Sequence, residues 1–431
     1  MKTKKALLAL TLALALCLSL ATLAFADSGP ITGDEANPVK VAFTKLLQLP
    51  AGTTVPTAKF EFLVTSKTVD GDAATKTNMP LIGTDVQQAG VIAGIVPINY
   101  QAGDSAGIDP DADDVVTVPK EYDIFNGITW PHAGEYVYTI SEKPGTYTIA
   151  DAALETMTYS LAEYTLNVYV RENKTTGKYY IYAIGAIIDT PDNEDQTVDA
   201  KVDPTPDGGE NEFEYSQMTF TNTYVRTIGG GGEPTDPADA SLAIGAQVAG
   251  NFSSTSIYFD YTLKLTVPSL PSIPGPTAYK AYVVQDGKIV TTEANGAPEG
   301  KDYIEFVSGT PNTFKLKDGQ QLVFTNTPVG TRYDIKQEGT TAYKASVIVT
   351  YNGVAKPAVS GADFGDPVEV KNMLVGETDT NAAFTNARND NVTPTGLDIG
   401  NLPFFGMIFL ALGAVAALVA AKTRKKSYNC N

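Results

Sequence analysis

The feature that most constrains this chain is the alternation of its apolar residues. Short runs rich in Thr, Val, Tyr and Phe, at residues 39–47, 59–66, 135–142, 163–170, 178–188 and 217–225, are separated by Gly, Pro, Asn and Asp. A period of two puts every second side chain on one face, which is the pattern of strands buried on one side. No long stretch carries a helical period, so the expected class is all-β, built from Ig-like sandwiches. Residues 227–239, with Gly229–Gly232, Pro234 and Pro237, read as a flexible Gly/Pro break between a first unit at 34–226 and a second at 240–388.

Three segments recur across that break in the same order. Lys59-Phe60-Glu61-Phe62-Leu63 returns as Tyr258-Phe259-Asp260-Tyr261-Thr262-Leu263, and Gly134-Glu135-Tyr136-Val137-Tyr138-Thr139-Ile140 as Gly330-Thr331-Arg332-Tyr333-Asp334-Ile335. Phe220-Thr221-Asn222 returns as Phe384-Thr385-Asn386. This is an internal duplication, with one sandwich in each half. Residues 68–130 are longer and more polar than a sandwich core requires and read as an excursion from the first unit.

The ends carry different signals. Lys2, Lys4 and Lys5, an apolar stretch from Ala6 to about Leu23, and then Ala24-Phe25-Ala26 make a secretory leader, residues 1–26, cleaved between Ala26 and Asp27. Cys17 follows Leu16, which does not suit a lipoprotein anchor. Near the other end, residues 402–421 are uncharged and long enough for a membrane-spanning helix. Lys422, Arg424, Lys425 and Lys426 follow in the tail 422–431, as expected on a cytoplasmic side.

Between these ends both cysteines are absent, so the exported part has no disulfide and needs another source of stability. Its 24 basic side chains face 48 acidic ones, which argues against nucleic-acid or anionic-membrane partners. Asp109, Asp111, Asp113 and Asp114 begin a calcium-loop spacing, but Lys120 stands at the closing position, so a solvated acidic loop is expected, with no metal and no cofactor. His132 is the one histidine, in a turn flanked by Pro and Gly, and no paired-acid motif marks a hydrolase.

Strand parity exposes three polar residues on apolar faces. Lys45 shares its face with Val39, Val41, Phe43 and Leu47; Glu142 with Tyr136, Tyr138 and Ile140; Asn222 with Met218, Phe220 and Tyr224. Burying an unpartnered charge is costly, so the three call for one another. A buried Lys–Glu salt bridge beside a hydrogen-bonded Asn satisfies the same pattern.

With these residues in place, the region between the ends resembles the two-domain major pilins of streptococci and their isopeptide-linkage domain. Their marks are a lysine in the first strand, a glutamate after a Tyr-x-Tyr-x-Ile strand, and an asparagine in a closing Phe-x-Asn. The resemblance implies that Lys45 and Asn222 form an isopeptide bond, with Glu142 polarising the asparagine carbonyl and relaying protons. Val392-Thr393-Pro394-Thr395-Gly396, the apolar span and the basic tail resemble a sortase sorting signal, of the Val-Pro-Thr-Gly kind rather than Leu-Pro-x-Thr-Gly.

That second resemblance implies cleavage between Thr395 and Gly396 by a sortase, and transfer to peptidoglycan or to a lysine of a neighbouring pilin subunit. Lys201 is the inter-subunit lysine that the family's placement implies. The expected protein is thus a cell-wall or pilus component of a Gram-positive surface and not an enzyme, beyond one self-catalysed turnover. The alternatives are a monomeric wall-anchored adhesin or minor pilin with a host-surface ligand, and a wall-anchored hydrolase.

In the second half Ala246 falls where the lysine should be and Gln337 where the glutamate should be, while Asn386 is retained, so no analogous bond is expected. Lys264, Lys336 and Glu338 are the possible substitutes, and each lies off the core parity.

Overall fold

The structure is a computed structural model that describes residues 31–105, 114–206, 215–270 and 278–388. The leader with its Ala26–Asp27 junction, the Thr395–Gly396 element, the apolar span, the basic tail and Asp109, Asp111 and Asp113 lie outside the described residues. Among the described residues no helix is long and apolar enough to cross a membrane.

The described chain is all-β. In its first half the longer strands are β1 (Ala42–Pro50), β2 (Ala58–Val69), β3 (Ala93–Tyr100), β4 (Val115–Asp123), β5 (Gly134–Lys143), β6 (Glu155–Thr158), β7 (Glu163–Glu172), β8 (Tyr179–Thr190), the edge piece β9 (Lys201–Val202) and β10 (Thr219–Arg226). One sheet runs β8-β7-β5-β2-β3 with short pieces at its edges, and a second runs β4-β1-β10-β6. Their facing sides enclose an aromatic core that includes Phe43, Phe60, Phe62, Tyr136, Tyr138, Tyr164 and Phe220.

All six expected runs are strands. The reading of residues 68–130 as an excursion is corrected: they supply β3, beside β2, and β4, which pairs with β1 along nine residues. Met79, Ile82, Phe125 and Trp130 from the same stretch are buried. The alternation there is masked because β4 is an edge strand whose outer positions, Thr117 and Pro119, are exposed, as edge strands tolerate.

The second half repeats the plan with β11 (Leu242–Ala249), β12 (Phe259–Thr266), β13 (Ala278–Gln285), β14 (Pro311–Leu316), β15 (Gln321–Phe324), β16 (Arg332–Gln337), β17 (Tyr343–Tyr351), β18 (Val368–Leu374) and β19 (Asn381–Arg388). One sheet runs β13-β15-β11-β19-β17 with short edge pieces, the other β14-β12-β16-β18, around a separate core. The duplication survives in the pairings. First and last strands run parallel in both halves, β1 with β10 and β11 with β19, and the recurring segments form the antiparallel pairs β2/β5 and β12/β16.

The Gly/Pro break is held by hydrogen bonds. Gly231 N–H donates to Thr325 O (2.9 Å) and Thr227 bridges to Pro328. Gly229 has φ +81°, and a Cβ there would lie 1.9 Å from the Asp239 carbonyl oxygen, so only glycine fits. Beside the break the two halves touch. Glu377 accepts from the Thr54 N–H (2.8 Å) and hydroxyl (2.7 Å), and Arg332 Nε donates to Asp114 (2.6 Å).

Candidate functional site

Lys45 and Asn222 lie on neighbouring parallel strands of one sheet. The register sets Lys45 opposite Phe220 and Leu47 opposite Asn222. The lysine and asparagine are therefore two residues out of step on the same face, roughly 7 Å along the strand, which an extended lysine side chain can span. Glu142 comes from β5 of the facing sheet, opposite Phe62 of β2. Two strands bring the nucleophile and the amide side by side, and the second sheet lowers the carboxyl onto both.

The three side chains meet in a dry core. Lys45 Nζ donates to Glu142 Oε2 (2.8 Å), and Asn222 Nδ2 donates to Glu142 Oε1 (2.7 Å). Neither Lys45 nor Glu142 exposes any side-chain surface, and Asn222 is fully buried. Lys45 Nζ also lies 4.9 Å from the centre of the Phe60 ring and 6.0 Å from that of Phe62. Tyr100 holds the backbone beneath it, its hydroxyl donating to the carbonyls of Lys45 (2.8 Å) and Val118 (3.0 Å).

Desolvation acts on both ionisable groups in the direction of neutrality. It pulls the Lys45 amine down to about 8, against the attraction of Glu142, and it pushes the Glu142 carboxyl up against the attraction of Lys45. A neutral amine has a free lone pair, and a protonated carboxyl has a proton to give. The arrangement can therefore support attack of Nζ on the Asn222 side-chain carbon, with one carboxyl taking a proton from Nζ on Oε2 and delivering one to Nδ2 from Oε1.

One detail differs from the role the resemblance implies for Glu142. Its carboxyl meets the amide nitrogen of Asn222 and not the carbonyl oxygen. Asn222 Oδ1 instead accepts from the backbone N–H of Ser160 at 2.7 Å. An N–H can only donate, so the oxygen must face Ser160 whatever the protonation of Glu142.

Ser160 was not singled out by parity, since it acts through its backbone from the turn between β6 and β7. Asp192, after β8, was also missed. Its Oδ1 accepts from the Ser160 hydroxyl (2.7 Å) and Leu161 N–H (3.2 Å), and its Oδ2 from Thr221 N–H (2.6 Å). A Pro-Asp-Asn loop gives no pattern that would mark such a contact.

The other sequence candidates lie apart from this cluster. Lys201 is exposed on the edge piece β9, opposite Ile187. His132 stacks on Tyr136 and accepts a hydrogen bond from its hydroxyl at the backbone carbonyl (2.8 Å). Asp114, the described member of the acidic loop, is paired with Arg332.

The second half repeats the placement without the chemistry. Ala246 faces Phe384, Val248 faces Asn386, and Gln337 stands opposite Tyr261, matching Lys45, Asn222 and Glu142 position by position. Gln337 Nε2 donates to Asn386 Oδ1 (2.5 Å) and Asn386 Nδ2 to Gln337 Oε1 (3.3 Å), both side chains buried. Lys336 turns outward to Glu338 (2.7 Å), and Lys264 is half-buried opposite Asp334.

Residues 41–225 match the Spy0128-like isopeptide containing domain, and residues 240–388 match a domain of unknown function (DUF7601). Among solved structures the chain is similar to the major pilin of Streptococcus pyogenes, at 18% identity over 82% of this chain and 99% of that one, with a TM-score of 0.31. The major pilin T3.2 of the same organism gives 20% identity over 82% and 98%, with a TM-score of 0.30. A pilus-presented adhesin, Spy0125 (Cpa), gives 11% over 81% and 99%, with a TM-score of 0.21. No curated protein matches the chain. What the matches identify is the domain at residues 41–225, a Spy0128-like isopeptide containing domain.

Proposed function

We propose that this chain is a structural subunit of a Gram-positive surface pilus, joined to its neighbours or to peptidoglycan by a sortase and braced by one Lys45–Asn222 isopeptide bond. The observation that carries the brace is the single carboxyl of Glu142, bridging the lysine nitrogen at 2.8 Å and the asparagine nitrogen at 2.7 Å in a site closed to water. The match of residues 41–225 to the Spy0128-like isopeptide containing domain supports the same reading.

The balanced step is amine plus carboxamide to secondary amide plus ammonia. Nζ bonds to the Asn222 side-chain carbon, the bond from that carbon to Nδ2 breaks, and Nδ2 leaves with a proton relayed through Glu142. Glu142 is restored, and one turnover suffices. The bond joins the first long strand to the last of its sandwich, so tension entering along β1 and leaving along β10 passes through a covalent link.

The mature chain begins at Asp27 once the leader is cut, and the sortase breaks the Thr395–Gly396 bond, releases the Gly396 amine with the tail, and joins the Thr395 acyl group to a new amine; Lys201 serves as that amine on the next subunit. The test of the brace is the intact mass of the chain from residue 27 to residue 395. A deficit of one ammonia is expected, and a full mass would remove the bond from the account.

A further inference from the structure

The attacking nitrogen, Lys45 Nζ, and the departing one, Asn222 Nδ2, are both held by Glu142, but the reaction also drives negative charge onto Asn222 Oδ1. When Nζ adds to the side-chain carbon, the carbonyl electrons move to that oxygen, and in a dry core an unassisted oxyanion is costly. We propose that the backbone N–H of Ser160 is the oxyanion donor of this reaction, and that Asp192 is the positioning residue that holds it there. The inference rests on the isopeptide reading above and deepens it.

Four observations carry it. Ser160 N–H already meets Oδ1 at 2.7 Å, within the 2.7–3.1 Å expected of an oxyanion donor. The donor is buried and belongs to the main chain, so it need not reorganise as charge develops. Asp192 ties the Ser160 turn to the asparagine strand, because one carboxylate accepts from Ser160 and Leu161 on one side and from Thr221, the neighbour of Asn222, on the other. Asp192 is itself fixed, its N–H donating to Gln196 Oε1 at 2.6 Å.

The second half supplies a contrast. There the oxygen of Asn386 is turned to the side-chain amide of Gln337. The half that lacks the lysine and the carboxyl thus also holds its asparagine oxygen by a different donor.

In the intermediate, Ser160 N–H shortens its hydrogen bond to Oδ1 while Glu142 moves the proton from Nζ to Nδ2. Collapse restores the carbonyl, ammonia departs, and Ser160 N–H remains on the new amide oxygen. No proton passes through Ser160 or Asp192.

The test follows bond formation by intact mass after pulsed cell-free synthesis of residues 27–395, over a range of pH. Replacing the Ser160 residue by its α-hydroxy analogue turns the N–H into an ester oxygen and should slow ammonia loss roughly 100-fold. Asp192→Asn places a donor against Thr221 N–H and should lower the plateau of the pH–rate profile at least about tenfold, while its midpoint moves down, because the Asp192 charge that raises the Lys45 amine is gone.

Folding is checked separately. Asp192→Asn with Glu142→Gln should melt within a few degrees of Glu142→Gln alone, so that a slow rate is not read from an unfolded chain. The inference is overturned if both changes leave the plateau rate intact, or if the loss is fully recovered by a shift of pH, which would mean that Asp192 acts through its charge alone. Wild-type chain that keeps its full mass would instead overturn the isopeptide reading on which the inference stands.

Discussion

Lys45 Nζ lies 2.8 Å from Glu142 Oε2, and neither side chain touches solvent. A buried ion pair of this kind adds little to stability on its own, because the desolvation of both charges offsets their attraction. The same desolvation brings the neutral amine within reach near pH 8 and favours the protonated carboxyl beside it, which suits a reaction more than a salt bridge.

The rate of ammonia loss should therefore depend on pH through Lys45. Its amine is pulled down to about 8, so below that value the reactive neutral form falls roughly tenfold per pH unit, and the rate with it. Timed mass spectra of newly synthesised chain between pH 5 and pH 9 would show this as a rising limb that levels near 8. A flat profile would mean that Lys45 is not the group that titrates.

The same shift has a stability consequence where the bond is blocked. In Asn222→Ala the folded amine titrates near 8 and the unfolded one near about 10.4, so the unfolded chain binds the extra proton between them. Stability of that variant should rise as pH climbs from about 8 to about 10.4, and stay at its lower value below 8. In the bonded protein no amine remains to titrate, and denaturant midpoints should lack this rise.

Glu142→Ala should leave the ammonia in place and weaken the first sandwich. The bond would close 222 minus 45, or 177, residues, which on the chain-entropy account stabilises by about 5 kcal/mol. Calorimetry should show the transition of the first sandwich moving down while that of the second stays. A variant with the ammonia lost as usual would take Glu142 out of the reaction.

No ammonia should come from the second sandwich. Its Gln337–Asn386 amide pair is a packing device, and Asn386→Ala would leave the buried Gln337 amide without its partner, at a cost of about 2 kcal/mol in that sandwich. A wild-type deficit of two ammonias would contradict this directly.

At the surface, Thr395→Ala should release the protein from the wall fraction, and Lys201→Ala should collapse any high-mass ladder in wall extracts to the single subunit. A ladder that survives the second change would assign polymerisation to another lysine. A wild-type protein that is wall-linked but never laddered would favour a minor or adhesive subunit.

Much of the first sandwich was legible because strands bury alternate residues. Parity alone put Lys45, Glu142 and Asn222 on core faces, and all three are there. It worked least well where a strand departs from one-sided burial. In β1 the residues between the core positions, Thr44 and Leu46, are buried too, and the outward side of the edge strand β4 is exposed enough to hide its role. The comparison of halves was legible for the same reason, since Ala246, Gln337 and Asn386 keep the offsets of the first triad.

By itself, the sequence determined the class, the duplication and the identity of three interior polar residues, because those follow from period, order and the cost of burying charge. Only the tertiary structure decided how they meet. That Glu142 takes both nitrogens, that Asn222 turns its oxygen to Ser160, and that Asp192 joins two loops to one strand depend on the approach of segments far apart in the chain. Backbone donors and loop carboxylates leave no periodic trace, since their role is set by where the fold places a single N–H or oxygen and not by which side of a strand a residue occupies.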